Sequence, residues 1–149
     1  MASIDATIDR PTQRVLLFGV GGRAYGCAIE AVREILPFRR CTRLPGAPSY
    51  VCGLINLRGT LVTVLDLGLR LGGAPIDRVD GSVILVELGA KVVGLAVDEM
   101  RDVQRFGDEE IEPASGDAAR DGIIRGLGRL GDDVVVLLDV QAIVRHVLL

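Results

Sequence analysis

The chain has 149 residues, 49% hydrophobic and 25% charged, which suits one compact domain or two subdomains sharing a core and excludes disorder throughout. The net charge of −3 and the scarcity of aromatics (three Phe, two Tyr, no Trp) argue against nucleic-acid binding, which needs clustered positive charge and stacking side chains. The N-terminus lacks a signal-peptide pattern and no apolar run approaches the roughly 18 residues of a membrane span, so we expect a cytoplasmic protein without direct membrane insertion.

The first elements of the chain are predicted to be β-strands. Residues 1–13 are polar and predict a flexible tail. Two short apolar runs follow, Val15–Val20 and Ala24–Ile29, separated by Gly21 and Gly22. Glycines supply the positive φ angles that a tight turn needs, so these runs predict a β-hairpin.

A second hairpin is predicted further along, where Val51–Leu57 and Leu61–Leu67 flank a turn at Arg58-Gly59-Thr60.

The rest of the chain repeats this pattern, so the two halves are interpreted as diverged copies of one unit. Residues 14–35 align with 82–103 at an offset of 68, with six identities in 22 positions where chance gives roughly two. Residues 53–66 align with 126–139 at an offset of 73, and Gly131-Asp132 takes the turn.

The last element is predicted to be an amphipathic helix with Asp139 as its N-cap, because apolar residues recur at helical spacing: Val140, Ile143, Val144, Val147 and Leu148. Short strands with regularly spaced turns favour small β-barrels over alternating strands and helices. We therefore predict a mainly β domain over 14–149. Its expected parts are a first subdomain at about 14–80, a second at about 81–138 and a C-terminal helix at 139–149.

A search for catalytic motifs gives one weak lead, the G-x-G-x-x-A pattern of Gly19, Gly21 and Ala24. In a dinucleotide-binding fold this pattern opens a helix. Here the following residues are poor helix formers, and the repeat counterpart keeps only Gly89, so we interpret the glycines as hairpin residues. A nucleotide-binding regulator remains an alternative.

Other reactive side chains are isolated in the sequence. His146 is the one histidine, and Cys27, Cys41 and Cys52 are widely spaced, which is typical of reduced apolar cysteines. We expect no catalytic residue, no cofactor and no metal, and therefore no enzyme.

The copies differ most at the second hairpin. The first copy reads Asn56-Leu57-Arg58-Gly59 where the second reads Arg129-Leu-Gly131-Asp. Only the first copy has the rigid loop Leu44-Pro-Gly-Ala-Pro48, and its connecting segment is basic where that of the second is acidic. Positions shared by the copies are expected to serve the fold, and positions that differ are candidates for function.

Several stretches resemble the CheW-like domain family. They include Val32-Arg-Glu34-Ile35, Leu44-Pro-Gly-Ala-Pro48, Gly53-Leu-Ile-Asn56-Leu-Arg58-Gly59 and Leu65-Asp66-Leu67. The likeness continues through Val93-Gly94-Leu-Ala-Val97-Asp98-Glu99 to Leu137-Leu138-Asp139, and it runs in order from about residue 14. The family often has proline where this chain has Thr63, which affects a strand position and no candidate binding residue.

The resemblance implies two pseudo-symmetric SH3-like five-stranded barrels sharing a core. It also implies an adaptor that couples chemoreceptor cytoplasmic tips to the regulatory domain of the histidine kinase CheA, and it allows a ring-like assembly with the kinase. Family roles transfer to the partner-binding candidates Val32, Glu34, Gly53, Asn56, Arg58 and Gly59. A paralogous scaffold or antagonist in a non-flagellar pathway would share this fold and remains a second alternative.

Overall fold

The structure is a computed structural model that describes residues 12–147, without the side chain of Val147. Most of these residues lie in strands. The strands are β1 Thr12–Val20, β2 Arg23–Ala28, β3 Val32–Pro37, β4 Val51–Leu57, β5 Thr60–Asp66, β6 Ser82–Leu88, β7 Lys91–Val97, β8 Glu99–Gly107, β9 Ile111–Pro113, β10 Ile124–Leu130 and β11 Asp133–Leu138. The helices are α1 Leu67–Arg70 and α2 Val140–Val147, and short 3-10 turns lie at Ile29–Ala31, Asp108–Glu110 and Gly116–Ala119.

The strands form two sheets with matching order. The six-stranded sheet runs β8-β1-β2-β11-β10-β9, and the five-stranded sheet runs β3-β6-β7-β5-β4. The predicted hairpins are present as β1–β2, β4–β5, β6–β7 and β10–β11. Gly21 and Gly22 both have positive φ in the turn between β1 and β2, so the glycine-rich stretch serves a hairpin.

The sheets exchange hairpins between the two copies of the repeat. The first hairpin, β1–β2, pairs with β8 and β11 of the second copy, while β6–β7 pairs with β3 and β5 of the first. The pairings of β2 with β11 and of β7 with β5 are both parallel. The sheets therefore cut across the predicted division into 14–80 and 81–138. Thr12 and Gln13 also lie in β1, and the rest of the predicted tail, 1–11, is outside the described residues.

Burial explains why β1 and β6 occupy central positions. Every residue from 15 to 20 in β1 and from 83 to 86 in β6 is buried, so both faces of each strand are covered. The two strands are counterparts in the repeat. A strand that is apolar on both faces is stable only with neighbours on both edges and packing on both sides. Placing the hairpins centrally in the opposite sheet meets that requirement.

Two glycines leave room for valine side chains on the neighbouring strands. Gly26 in β2 and Gly94 in β7 are repeat counterparts, and an added Cβ would lie 2.5 Å from Val15 Cγ1 and 2.7 Å from Val83 Cγ1, respectively. Real Cβ atoms do not approach a neighbouring methyl group so closely. Both positions therefore serve the fold, as the comparison of the copies predicts.

The apolar interior is continuous between the sheets. One cluster joins Phe18 of the six-stranded sheet to Leu65 and Ile84 of the five-stranded sheet and to Ile143 of α2. A smaller, separate cluster around Phe106 packs among strands of the six-stranded sheet. The two sheets consequently share one core.

The predicted C-terminal helix is confirmed over Val140–Val147. The Asp139 Oδ1 atom accepts a hydrogen bond from the Ala142 amide at 3.0 Å, which is an N-cap. Val140, Ile143 and Val144 are buried. The side chain of Val147 and all of Leu148 lie outside the described residues. In the part of the chain that the structure covers, no helix has the length and apolar content to span a membrane.

Candidate partner-binding site

The turn between β4 and β5 carries the most unusual backbone in the structure. Leu57 pairs with Thr60, so Arg58 and Gly59 form a two-residue turn, and their φ values are 50° and 86°. Two positive φ angles define a type I′ turn, which favours Asn-Gly or Gly-Gly. Among residues 12–147, Arg58 is the one non-glycine residue with positive φ.

The second copy has a glycine at the position equivalent to Arg58. Gly131, the counterpart of Arg58, has a φ of 62° in a hairpin of the same length, while its neighbour Asp132 lacks positive φ, so this turn follows the type II′ pattern with glycine first. An L-residue in this conformation costs about 1–2 kcal/mol, which glycine avoids. Arg58 therefore occupies a position where its side chain is a conformational burden, a feature that points to function.

The Arg58 guanidinium pairs with the Glu34 carboxylate. Its Nη2 donates to Oε1 at 2.6 Å and its Nη1 to Oε2 at 3.4 Å, a two-point contact. Glu34 lies on β3, at the opposite edge of the five-stranded sheet from β4. The ion pair thus connects the two edges of that sheet. Arg39 adds a second connection by donating to the Asn56 carbonyl oxygen at 3.3 Å.

A bulge in β3 aims the Glu34 side chain. Val32 pairs with Val86, but Glu34 pairs with Leu85, so two residues of β3 span one step of β6. A bulge bends its strand and redirects the side chains next to it. Asn56 fixes the other partner, because its Oδ1 accepts from the Gly59 amide at 2.9 Å across the turn. Both ends of the ion pair are therefore held by backbone geometry.

The ion pair leaves the arginine available to solvent. The Arg58 side chain is 66% exposed and that of Glu34 is 32% exposed. The hydrogen bond from Arg58 lowers the pKa of the Glu34 carboxyl, and the same bond raises the pKa of Arg58. An exposed pair of this kind adds little to stability. Its effect is to orient a guanidinium that keeps unused donors.

Beside the ion pair is an open pocket of about 230 Å³ that has a counterpart in the other sheet. The first pocket includes Arg33, Leu57, Thr60 and Val62, and the second, of about 370 Å³, includes their repeat equivalents Arg101, Leu130, Asp133 and Val135. Arg58 lines the first pocket, whereas Gly131 does not line the second. The copies share the concave surface and differ in the arginine.

The structure brings together four of the six predicted residues. Glu34, Asn56, Arg58 and Gly59 meet at the turn, and Val32 lies two residues before Glu34, half-buried against the core.

Gly53 is buried and lies apart from the turn. An added Cβ there would lie 2.1 Å from the Thr42 carbonyl oxygen, and one at its counterpart Gly126 would lie 2.4 Å from that of Glu112. Gly53 therefore permits a chain crossing that both copies use.

Two neighbours of the turn were not predicted. Arg39 belongs to the basic connecting segment of the first copy, and its hydrogen bond to Asn56 joins residues 17 positions apart, so local sequence does not indicate it. Leu61 is 65% exposed and lies opposite Asn56 in the β4–β5 pairing. The alternation of buried Val62 and Val64 with outward-facing positions is the signal that could have identified it.

Comparison with known proteins agrees with this architecture. Residues 14–148 match the family described as CheW-like domain. The chain belongs to the CheW-like domain family. It is 33% identical to the chemotaxis protein CheW of Klebsiella aerogenes, over 87% of this chain and 80% of that protein. It is also 33% identical to a probable chemotaxis protein CheW of Rhizobium etli, over 92% and 90% of the two chains.

A solved structure is also similar. The crystal structure of the scaffolding protein TtCheW from Thermoanaerobacter tengcongensis superposes with a TM-score of 0.78 and 26% identity, covering 87% of this chain and 90% of that one. The predicted fold, two SH3-like subdomains with a short C-terminal helix, is confirmed. The predicted role, an adaptor of the chemotaxis system, is confirmed by the relatives.

The Glu34 carboxyl is expected to titrate below the ordinary glutamate range and to return toward it in Arg58→Ala, because the hydrogen bond from Arg58 is then lost. The pKa of Glu34 is lower in the folded state than in the unfolded state. The ion pair therefore stabilises the fold at pH values above the unfolded-state pKa, and this contribution is lost as the pH falls through the folded-state pKa. Carboxyl NMR titration measures this, with Arg120→Ala as the control. Equal Glu34 titration in wild type and Arg58→Ala would exclude the ion pair in solution.

Arg58→Gly is expected to keep or raise the free energy of unfolding, by about 1 kcal/mol or less, because glycine relieves the left-handed strain. Gly131→Arg is the corresponding change in the second copy and should lower the free energy of unfolding, because the first central position of a type II′ turn favours glycine. Urea denaturation gives both values. A loss of more than about 1 kcal/mol in Arg58→Gly would mean that Arg58 is retained for stability.

Proposed function

We propose that the chain couples chemoreceptors to the histidine kinase CheA as a non-catalytic cytoplasmic scaffold, and that the Arg58 turn is its binding site for the kinase regulatory domain. The observation that carries the proposal is the left-handed Arg58, with an exposed guanidinium, at a position where the second copy has glycine. The exposed ion pair with Glu34 adds little to stability, and the second copy forms its turn with glycine, so we attribute the arginine to a contact with a partner.

The geometry suits a contact with a partner protein. Arginine is common among the residues that dominate binding energy, and it contributes most when its conformation is fixed before binding. Glu34 holds one side of the guanidinium, and Asn56 and Gly59 hold the turn beneath it. Leu61 adds exposed apolar surface opposite Asn56. A partner carbonyl or carboxylate would complete the donors of Arg58 while an apolar side chain covers Leu61.

A scaffold of this kind can transmit a signal without chemistry of its own. A receptor that favours one arrangement of the scaffold and kinase shifts the population of kinase conformations by its differential affinity for them. The shared core makes the two subdomains one packed unit, so binding at one sheet constrains the orientation of the other. The residues that form or border the proposed contact are Val32, Glu34, Asn56, Arg58 and Gly59, whereas Gly53 serves the chain crossing at Thr42.

Arg58→Glu is expected to weaken binding of the kinase regulatory domain at least tenfold, because it replaces an oriented cation with a charge that repels Glu34 and the partner site. Isothermal titration calorimetry measures the dissociation constant, and Arg120→Glu provides a control with the same change in net charge.

A charge-swapped variant separates contact from support. Glu34→Arg combined with Arg58→Glu can restore the ion pair with reversed polarity. If Arg58 contacts the partner, the double variant binds as weakly as Arg58→Glu alone. Recovery of wild-type affinity in the double variant would show that the ion pair only supports the sheet edges, and the proposed contact would be wrong.

A further inference from the structure

A third concave surface shares no lining residue with the pocket beside the Arg58 turn. A pocket of about 450 Å³ opens between the segment after β3, strand β4 and the loop before β6. Phe38, Cys41 and Cys52 line it with apolar surface, and Arg40, Arg43 and Arg78 add three guanidinium groups. We call this site the arginine pocket.

The arginine pocket has unbalanced positive charge. Arg78 pairs with the fully buried carboxylate of Asp66 at 3.0 Å, which neutralises one of the three cations. Arg40 and Arg43 are exposed, and neither forms an ion pair with another residue between positions 12 and 147. Burial raises the pKa of the Cys52 thiol to about 12 and also raises that of Cys41, so both thiols stay neutral. The surplus occurs in a chain with a net charge of −3.

The second copy shows that the fold does not require this charge. The carbonyl oxygen of Thr42 lies against Gly53, and that of Glu112 lies against the equivalent glycine, Gly126. Thr42 and Glu112 are therefore structural counterparts, each paired with the residue after its glycine. Two residues earlier, Arg40 corresponds to Glu110. The same place in the architecture therefore accepts either sign of charge. The arginines belong to the first copy alone, as Arg58 does.

We propose that the arginine pocket binds an acidic peptide segment of a partner protein, with carboxylates on Arg40 and Arg43 and an apolar side chain against Phe38. Planar guanidinium groups match carboxylates through two parallel hydrogen bonds. The pocket is large enough for several side chains, and a single phosphate would leave its apolar surface uncovered. This contact goes beyond the proposed function, because it uses neither Arg58 nor Glu34.

Fluorescence anisotropy with the full chain tests the site without kinase or receptor. The probe is a labelled five-residue peptide with four glutamates around a central leucine. Saturable binding is expected, and Arg40→Gln combined with Arg43→Gln should weaken it at least tenfold. Arg105→Gln combined with Arg120→Gln makes the same change in net charge elsewhere and should leave affinity within twofold. Absence of binding to wild type, or equal weakening by both pairs, would overturn the proposal.

Altered probes distinguish a peptide site from a general anion site. Replacing the leucine by glycine should weaken binding several-fold, and replacing the glutamates by glutamine should abolish it. Inorganic phosphate at the concentration of the peptide should not displace it. An acidic peptide would be contradicted as the occupant if the leucine made no difference to affinity or if phosphate displaced the peptide. It would also be contradicted if sedimentation showed that altered self-association explains the loss of binding.

Discussion

The parallel pairing of β5 with β7 and of β2 with β11 is the constraint on which the rest of the structure depends. Each pairing inserts the hairpin of one copy into the sheet of the other. Neither half can then bury both faces of its hairpin alone, so the domain has one core and the copies fold together. Gly26 and Gly94 keep these pairings close, because an added Cβ would lie 3.3 Å from Val135 Cγ1 of β11 and 3.2 Å from Val64 Cγ2 of β5, respectively.

Because the constraint acts equally on both copies, departures from the repeat are informative about function. Arg58 stands where the second copy has Gly131, and Arg40 stands where it has Glu110. In each case the second copy folds without a cation at this position, and the first copy carries a cation on an exposed surface. The duplication supplies architecture twice, while the proposed binding surfaces occur once.

The sequence allowed the local elements to be predicted and not their partners. Two short apolar runs around Gly21-Gly22 predict the first hairpin, and helical spacing after Asp139 predicts α2, because both signals act within a few residues. The exchange of hairpins was missed because partner choice depends on burial of both faces of β1 and β6. At the site, the difference between the copies and the family resemblance both predicted Arg58, and the resemblance alone predicted Glu34. Their contact needs the bulge after Val32, and Gly53 proved to be buried.

The central claim, that the fold is duplicated while kinase binding is confined to the first copy, can be tested by one NMR titration. Unlabelled CheA regulatory domain is added to the isotopically labelled chain, and amide shifts are followed at the two equivalent turns. The account predicts perturbation at residues 32–34 and 56–60 with little change at 129–133. Equal perturbation at both turns, or perturbation at 129–133 alone, would contradict it.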